Sequence, residues 1–204
     1  MNTNLKLKTI ALIFSSFFLA TLSMAQVGIR AGVTITNQTF KNGNLDNDPE
    51  SKFGADLALV TDFPLGDGSV SIAPELHWVQ KGYKISDIDG QIGDFTSTFN
   101  YLELPVLLKI NFGSEETKFF VMAGPSFGYL LGDKTVDAND DVVIIFGDDY
   151  APIEVAGQLG AGVGFGAVRF DVRYFLGFTN VARDYPDNIE VYNKGYGAGI
   201  SVMF

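Results

Sequence analysis

The stretch Tyr101-Leu102-Glu103-Leu104-Pro105-Val106-Leu107-Leu108-Lys109-Ile110-Asn111-Phe112 repeats with a period of two. Leu102, Leu104, Val106, Leu108, Ile110 and Phe112 fall on one side, and Tyr101, Glu103, Pro105, Leu107 and Lys109 on the other. Successive side chains of a β-strand point to opposite faces, so this is a strand with one continuous apolar face and one face that carries charge. Its length matches the roughly 9–11 residues that a tilted strand needs to cross a bilayer.

The same alternation recurs on both sides of this segment. Upstream, Val27, Ile29, Ala31, Val33 and Ile35 oppose a row containing Arg30. Phe53, Ala55, Leu57 and Leu59 oppose Gly54, Asp56, Ala58 and Val60. Ile72, Pro74, Leu76 and Trp78 oppose Ser71, Glu75 and His77, with Lys81 in the same phase. Downstream, Phe119 to Tyr129 forms a fifth segment. A sixth sets Val155, Leu159, Ala161, Val163 and Phe165 against Glu154, Gly160, Gly162 and Gly164. A seventh sets Val168, Phe170, Val172 and Tyr174 against Arg169, Asp171 and Arg173, and the eighth sets Tyr196, Ala198, Ile200, Val202 and Phe204 against Gly195, Gly197 and Gly199.

The connections alternate long and short. Residues 37–51, 84–97, 130–151 and 178–194 are long joints; Pro64 to Gly68, Gly113 to Thr117 and Gly166-Ala167 are short ones. Tight turns at one end and long loops at the other mark an up-and-down membrane barrel, and an even strand count leaves both chain ends on the side of the turns. The predicted fold is all-β, an eight-stranded antiparallel transmembrane barrel spanning residues 26–204.

The first 25 residues read as a secretory leader. Lys6 and Lys8 precede an apolar run from Ile10 to Leu22, too short to span a bilayer, and Ser23-Met24-Ala25 supplies small residues for cleavage between Ala25 and Gln26. Losing the two lysines takes the formal charge from −10 to −12. So acidic a chain argues against a nucleic-acid partner, which needs clustered Lys and Arg. There is no cysteine, so neither disulfides nor Cys-based metal sites and nucleophiles are available.

With the apolar face toward lipid, the charged face lines the barrel. Arg30, Lys81, Lys109, Arg169 and Arg173 then meet Asp56, Glu75, Glu103, Glu154 and Asp171, five positive groups against five negative ones. Buried charges are costly unless paired, so these ten should form an interior network. About eight strands enclose a space that side chains can fill. The glycine rows either make room for long groups opposite or leave a thin water path, and filling is favoured because packed interiors tolerate few voids.

Several segments carry a family resemblance: Val27-Gly28-Ile29-Arg30-Ala31-Gly32-Val33, Pro74-Glu75-Leu76 with Gln80-Lys81-Gly82, Tyr101-Leu102-Glu103-Leu104-Pro105, Ala123-Gly124-Pro125 and Leu159-Gly160-Ala161-Gly162-Val163-Gly164. In these the chain resembles the porin-family, PorT-like outer-membrane β-barrel proteins of Bacteroidota. The resemblance implies the barrel and the outer membrane, and brings no catalytic motif. Phe204, in phase with the apolar row of its strand, looks like the C-terminal aromatic signal read by the outer-membrane assembly machinery.

Other constellations are weaker. His77, the sole histidine, is in phase with Glu75, which alone falls short of a catalytic set. Asp137, Asn139, Asp141 and Asp148 have the oxygen spacing of a calcium loop, but Val142 occupies the place where such a loop needs glycine. No cofactor is expected. The neighbouring apolar run Val142 to Phe146 reads as a strand extension above the membrane. Trp78, Tyr83, Tyr129 and Tyr174 are expected in aromatic girdles, whereas Tyr101 is in the inward phase. The long loops hold acids such as Asp46, Asp87, Asp133 and Asp184, which suit display toward an extracellular or periplasmic partner. The sequence thus favours a non-enzymatic barrel acting structurally or as an interaction module, over a narrow solute channel, an embedded enzyme using His77 and Glu75, or a soluble ligand-binding barrel.

Overall fold

A computed structural model describes residues 26–41, 49–86, 94–114, 116–137, 139, 141–144, 150–182 and 189–204. Among them lie nine strands: β1 (Gln26–Lys41), β2 (Glu50–Leu65), β3 (Val70–Ile85), β4 (Phe95–Gly113), β5 (Thr117–Val136), β6 (Val142–Ile144), β7 (Ile153–Phe165), β8 (Val168–Gly177) and β9 (Glu190–Met203). All pairings are antiparallel. Each of β1 to β5 pairs with the next, β5 with β7, and then β7 with β8, β8 with β9, and β9 with β1, which closes an eight-stranded barrel. Closure satisfies the backbone without leaving an edge in hydrocarbon, as a membrane requires. β6 stands outside the circuit as a short partner of the end of β5, the extension expected for the start of that apolar run. Residues 145–146 of the run, the leader 1–25 and Asp148 lie outside the described residues.

The two faces divide as the period-two pattern predicts. On β4 Leu102, Leu104, Leu108, Ile110 and Phe112 are exposed, Leu108 to 52 %, with Val106 between them half-buried, while Tyr101, Glu103, Pro105, Leu107 and Lys109 are buried in the lumen. Above Leu102 the same outer row continues as Asn100, Thr98 and Thr96, so the apolar band ends there and the upper strand stands clear of the membrane. Gln80 Nε2 donates to Asn100 Oδ1 (3.1 Å) at this boundary. Breaks in register fall nearby, between Ser51 and Asp56 of β2 and between Asn100 and Tyr101 of β4, as bulges at barrel rims do. The strands are longer than the sequence suggests because their upper halves lose the apolar alternation while keeping their ladder.

At the other end the turns are tight. Gly166, with φ of 58°, begins the two-residue turn from β7 to β8, a conformation that costs glycine little. The Phe204 N–H donates to Val27 O (2.7 Å), fastening the segment after β9 to the beginning of β1.

One aromatic differs from expectation. Tyr83 is buried in the lumen, not in a girdle, because β3 keeps Lys81 and Tyr83 in one inward phase. It joins Val79, Phe99, Tyr101, Tyr150, Val181, Ala182 and Val191 in an apolar cluster that fills the loop end of the barrel. Phe99 and Tyr150 rings meet at 4.6 Å, and Phe40 packs edge-on to Tyr83 at 5.9 Å. The chain after β8 is tucked into the mouth by hydrogen bonds from Ala151 N to Val181 O (2.8 Å) and from Val181 N to Val191 O (2.9 Å).

Candidate functional site

All ten predicted interior charges face the lumen, and nine of them are buried; Arg169 is only half-buried. They are organised in three levels between the turns and the apolar cluster.

Nearest the turns, Asp62 Oδ2 accepts from both Lys109 Nζ and Arg169 Nη1, each at 2.7 Å, and Arg169 Nη2 donates to Gln26 Oε1 at 2.6 Å. Asp62 was not among the residues singled out from sequence. The signal was present: the inward row Gly54, Asp56, Ala58, Val60 continues in phase to Asp62, and β2 runs on to Leu65.

The middle level is a closed ring of alternating charge drawn from β1, β2, β3 and β8. Arg30 donates to Asp56 and grips Asp171 through Nε (3.0 Å) and Nη2 (2.8 Å). Arg173 Nε donates to Asp171 (2.6 Å), and its terminal nitrogens donate to Glu75. His77 closes the circle, with Nε2 against Glu75 Oε2 and Nδ1 against Asp56 Oδ1, both 2.7 Å. Only the imidazolium carries two N–H donors, so a ring with every bond made contains His77⁺ and is electrically neutral. From sequence His77 reads as a hydrogen-bonded interior residue in phase with Glu75, and it is one; its role as the sixth member of a charged ring was not legible.

At the upper level Lys81, 1 % exposed, lies between Glu103 and Glu154, with 2.8 Å to Glu154 Oε2. Asn193 Nδ2 donates to the other Glu154 oxygen (3.1 Å), and the ammonium stands over the rings of Tyr101 (5.0 Å) and Phe175 (4.6 Å).

The glycine rows serve this packing. A Cβ on Gly199 would come within 2.4 Å of Arg30 Cζ, one on Gly162 within 2.3 Å of Phe120 Cζ, and one on Gly195 within 2.8 Å of Phe175 Cζ. The rows therefore make space for long side chains. Among the described residues the lumen holds small voids, two of them of about 20 Å³, each room for one water. A larger cavity of about 360 Å³ opens between the short turns, beside Arg169, Lys118 and Asp62. Within its rim the Ser69 N–H donates to Asp67 Oδ1 (3.0 Å) and holds that carboxyl below its usual value.

Of the calcium-spaced residues, Asp137 Oδ1 accepts the N–H groups of Asn139 (2.8 Å) and Asp141 (3.0 Å), forming a local turn. Asp148 lies outside the described residues.

A family model described as outer membrane protein beta-barrel domain matches residues 14–183. No curated protein matches the chain. Among solved structures, the outer membrane enzyme PagL aligns with a TM-score of 0.51 at 14 % identity, covering 86 % of this chain and 98 % of that one. Neisserial surface protein A (NspA) gives 0.49 at 12 %, covering 88 % and 99 %. OprG from Pseudomonas aeruginosa gives 0.46 at 12 %, covering 88 % and 96 %. At such identities the likeness concerns the fold alone.

Proposed function

The chain belongs to the family of outer membrane protein β-barrel domains, and on that premise we propose that it is a closed outer-membrane anchor, conducting no solute and presenting four acidic loops to a surface partner. The short turns then face the periplasm and the long connections the exterior. One observation carries this reading: above the ion pairs the lumen is occupied by Phe99, Tyr101, Tyr150 and Val181, none more than 2 % exposed.

Within the family we assign the chain to the PorT-like, porin-family barrels of Bacteroidota, on the strength of the Tyr101 to Pro105 element and the glycine alternation of β7. Residues 1–25 are removed as a leader on export, and Phe204, 78 % exposed at the end of the lipid-facing row of β9, is the element the assembly machinery reads. The role is non-enzymatic and uses no cofactor. His77 is buried with both ring nitrogens engaged by carboxylates, which leaves it no approach to a substrate.

Planar-bilayer recording on the purified mature protein tests the reading. The expected result is a trace without steady single-channel steps. Reproducible steps that vanish when a bulky side chain replaces Gly197, which borders the upper void, would establish a channel and overturn the proposal.

A further inference from the structure

We propose that the turn-side mouth of the barrel is a binding site for a phosphate group, held between Arg169 and Lys118. The charges of the lumen point there. The middle ring is neutral with His77 protonated, and the upper level has one ammonium for two carboxylates. At the lowest level two buried or half-buried cations, Lys109 and Arg169, share a single oxygen of Asp62. A pair of cations on one carboxylate leaves a positive excess in a partly desolvated place, which an anion relieves.

The geometry admits one. Lys118 of β5 pairs with Gly164 of β7, and Gly164 pairs with Arg169 of β8, all three on the lumen side. Gly164 has no side chain to separate the two cations, whose backbones stand about 9–10 Å apart across two strand spacings, a gap that their long side chains can close on one oxyanion. The cavity of about 360 Å³ there gives an oxyanion room between the two cations, while the Asn111 amide on its wall is engaged by Gly68 O (3.2 Å) and Ser71 Oγ (3.3 Å). Gln26 Oε1 already sits on Arg169 Nη2 at 2.6 Å; it belongs to an exposed side chain and occupies the position of a ligand oxygen that could displace it. Asp67 lines the same rim and is exposed, as Lys118 is, so water screens the two alike and the positive excess rests on Lys109 and Arg169 over Asp62. The phosphate can come from free solute or from a phospholipid headgroup of the adjacent leaflet.

The test is a titration of the folded mature protein with inorganic phosphate, in maltoside micelles at fixed ionic strength, read by NMR at Arg169 Nε–H and the Ser69 amide. A saturable shift is expected, weakened roughly ten-fold by Arg169→Gln and also by Lys118→Gln. Lys118 is exposed, so its variant keeps the fold, and heat-modifiable gel migration confirms this for both. Repeating the titration in phosphatidylglycerol nanodiscs separates the sources. A further loss of apparent affinity identifies the headgroup as competitor, and an unchanged value identifies free phosphate. No saturable shift, or one that survives the double variant, overturns the proposal.

Discussion

Replacing Lys81 by methionine is expected to lower the unfolding free energy of the barrel by about 3–5 kcal/mol, the cost of stranding partners of a removed buried charge. Lys81 reaches Glu103 and Glu154 together. Without it, among the described residues Glu103 keeps long contacts from Ser126 and Gln158, both 3.4 Å, and Glu154 keeps Asn193. Two carboxylates would then face each other in a lumen sealed from the exterior by aromatic rings. Urea unfolding of the protein in lipid vesicles measures the loss. Adding Glu103→Gln and Glu154→Gln to the lysine variant should restore most of it, because a neutral interior of similar volume costs far less than an unbalanced one. A deficit that persists in the triple variant would mean that Lys81 acts by packing on Tyr101 and Phe175 instead.

Gly199→Val is the second large effect. The added Cβ would lie where the Arg30 guanidinium now lies, 2.4 Å from Cζ and 2.5 Å from Nη2. Arg30 holds Asp56 and Asp171 at once, so displacing it opens the neutral ring at two of its six links. The expected destabilisation exceeds the about 1–3 kcal/mol of ordinary overpacking. The same substitution in an Arg30→Met background should cost markedly less, since the group it displaces is already gone. Equal costs in both backgrounds would show that the glycine serves only the close approach of β9 to its neighbours.

The phase of a side chain was legible and its partner was not. Arg30 and Asp171 are 141 positions apart, and nothing in a period-two pattern says that strands β1 and β8 bring them within 3 Å. The faces followed from alternation because membrane and lumen impose opposite demands on successive residues. Alternation also explains the misplacement of Tyr83: an aromatic near a strand end looks like a girdle residue until its phase with Lys81 is counted. Asp62 escaped notice because the apolar row of β2 weakens at Thr61, although the backbone ladder continues to Leu65. The inward fold of Tyr150 and Val181 had no sequence signal, since long connections carry no period. Those two residues nevertheless do most to distinguish a closed barrel from an open one.

Both the ion-paired lumen and the sealed mouth depend on which face of the sheet meets lipid, and the single tryptophan reports it. Trp78 lies on the outer row of β3, opposite Leu57 of β2 and Leu102 of β4. In vesicles whose acyl chains carry bromine, its fluorescence is predicted to be strongly quenched, and far more than by iodide in the surrounding buffer. Quenching by iodide with no response to brominated chains would take the outer row of β3 out of the hydrocarbon, and would contradict the account.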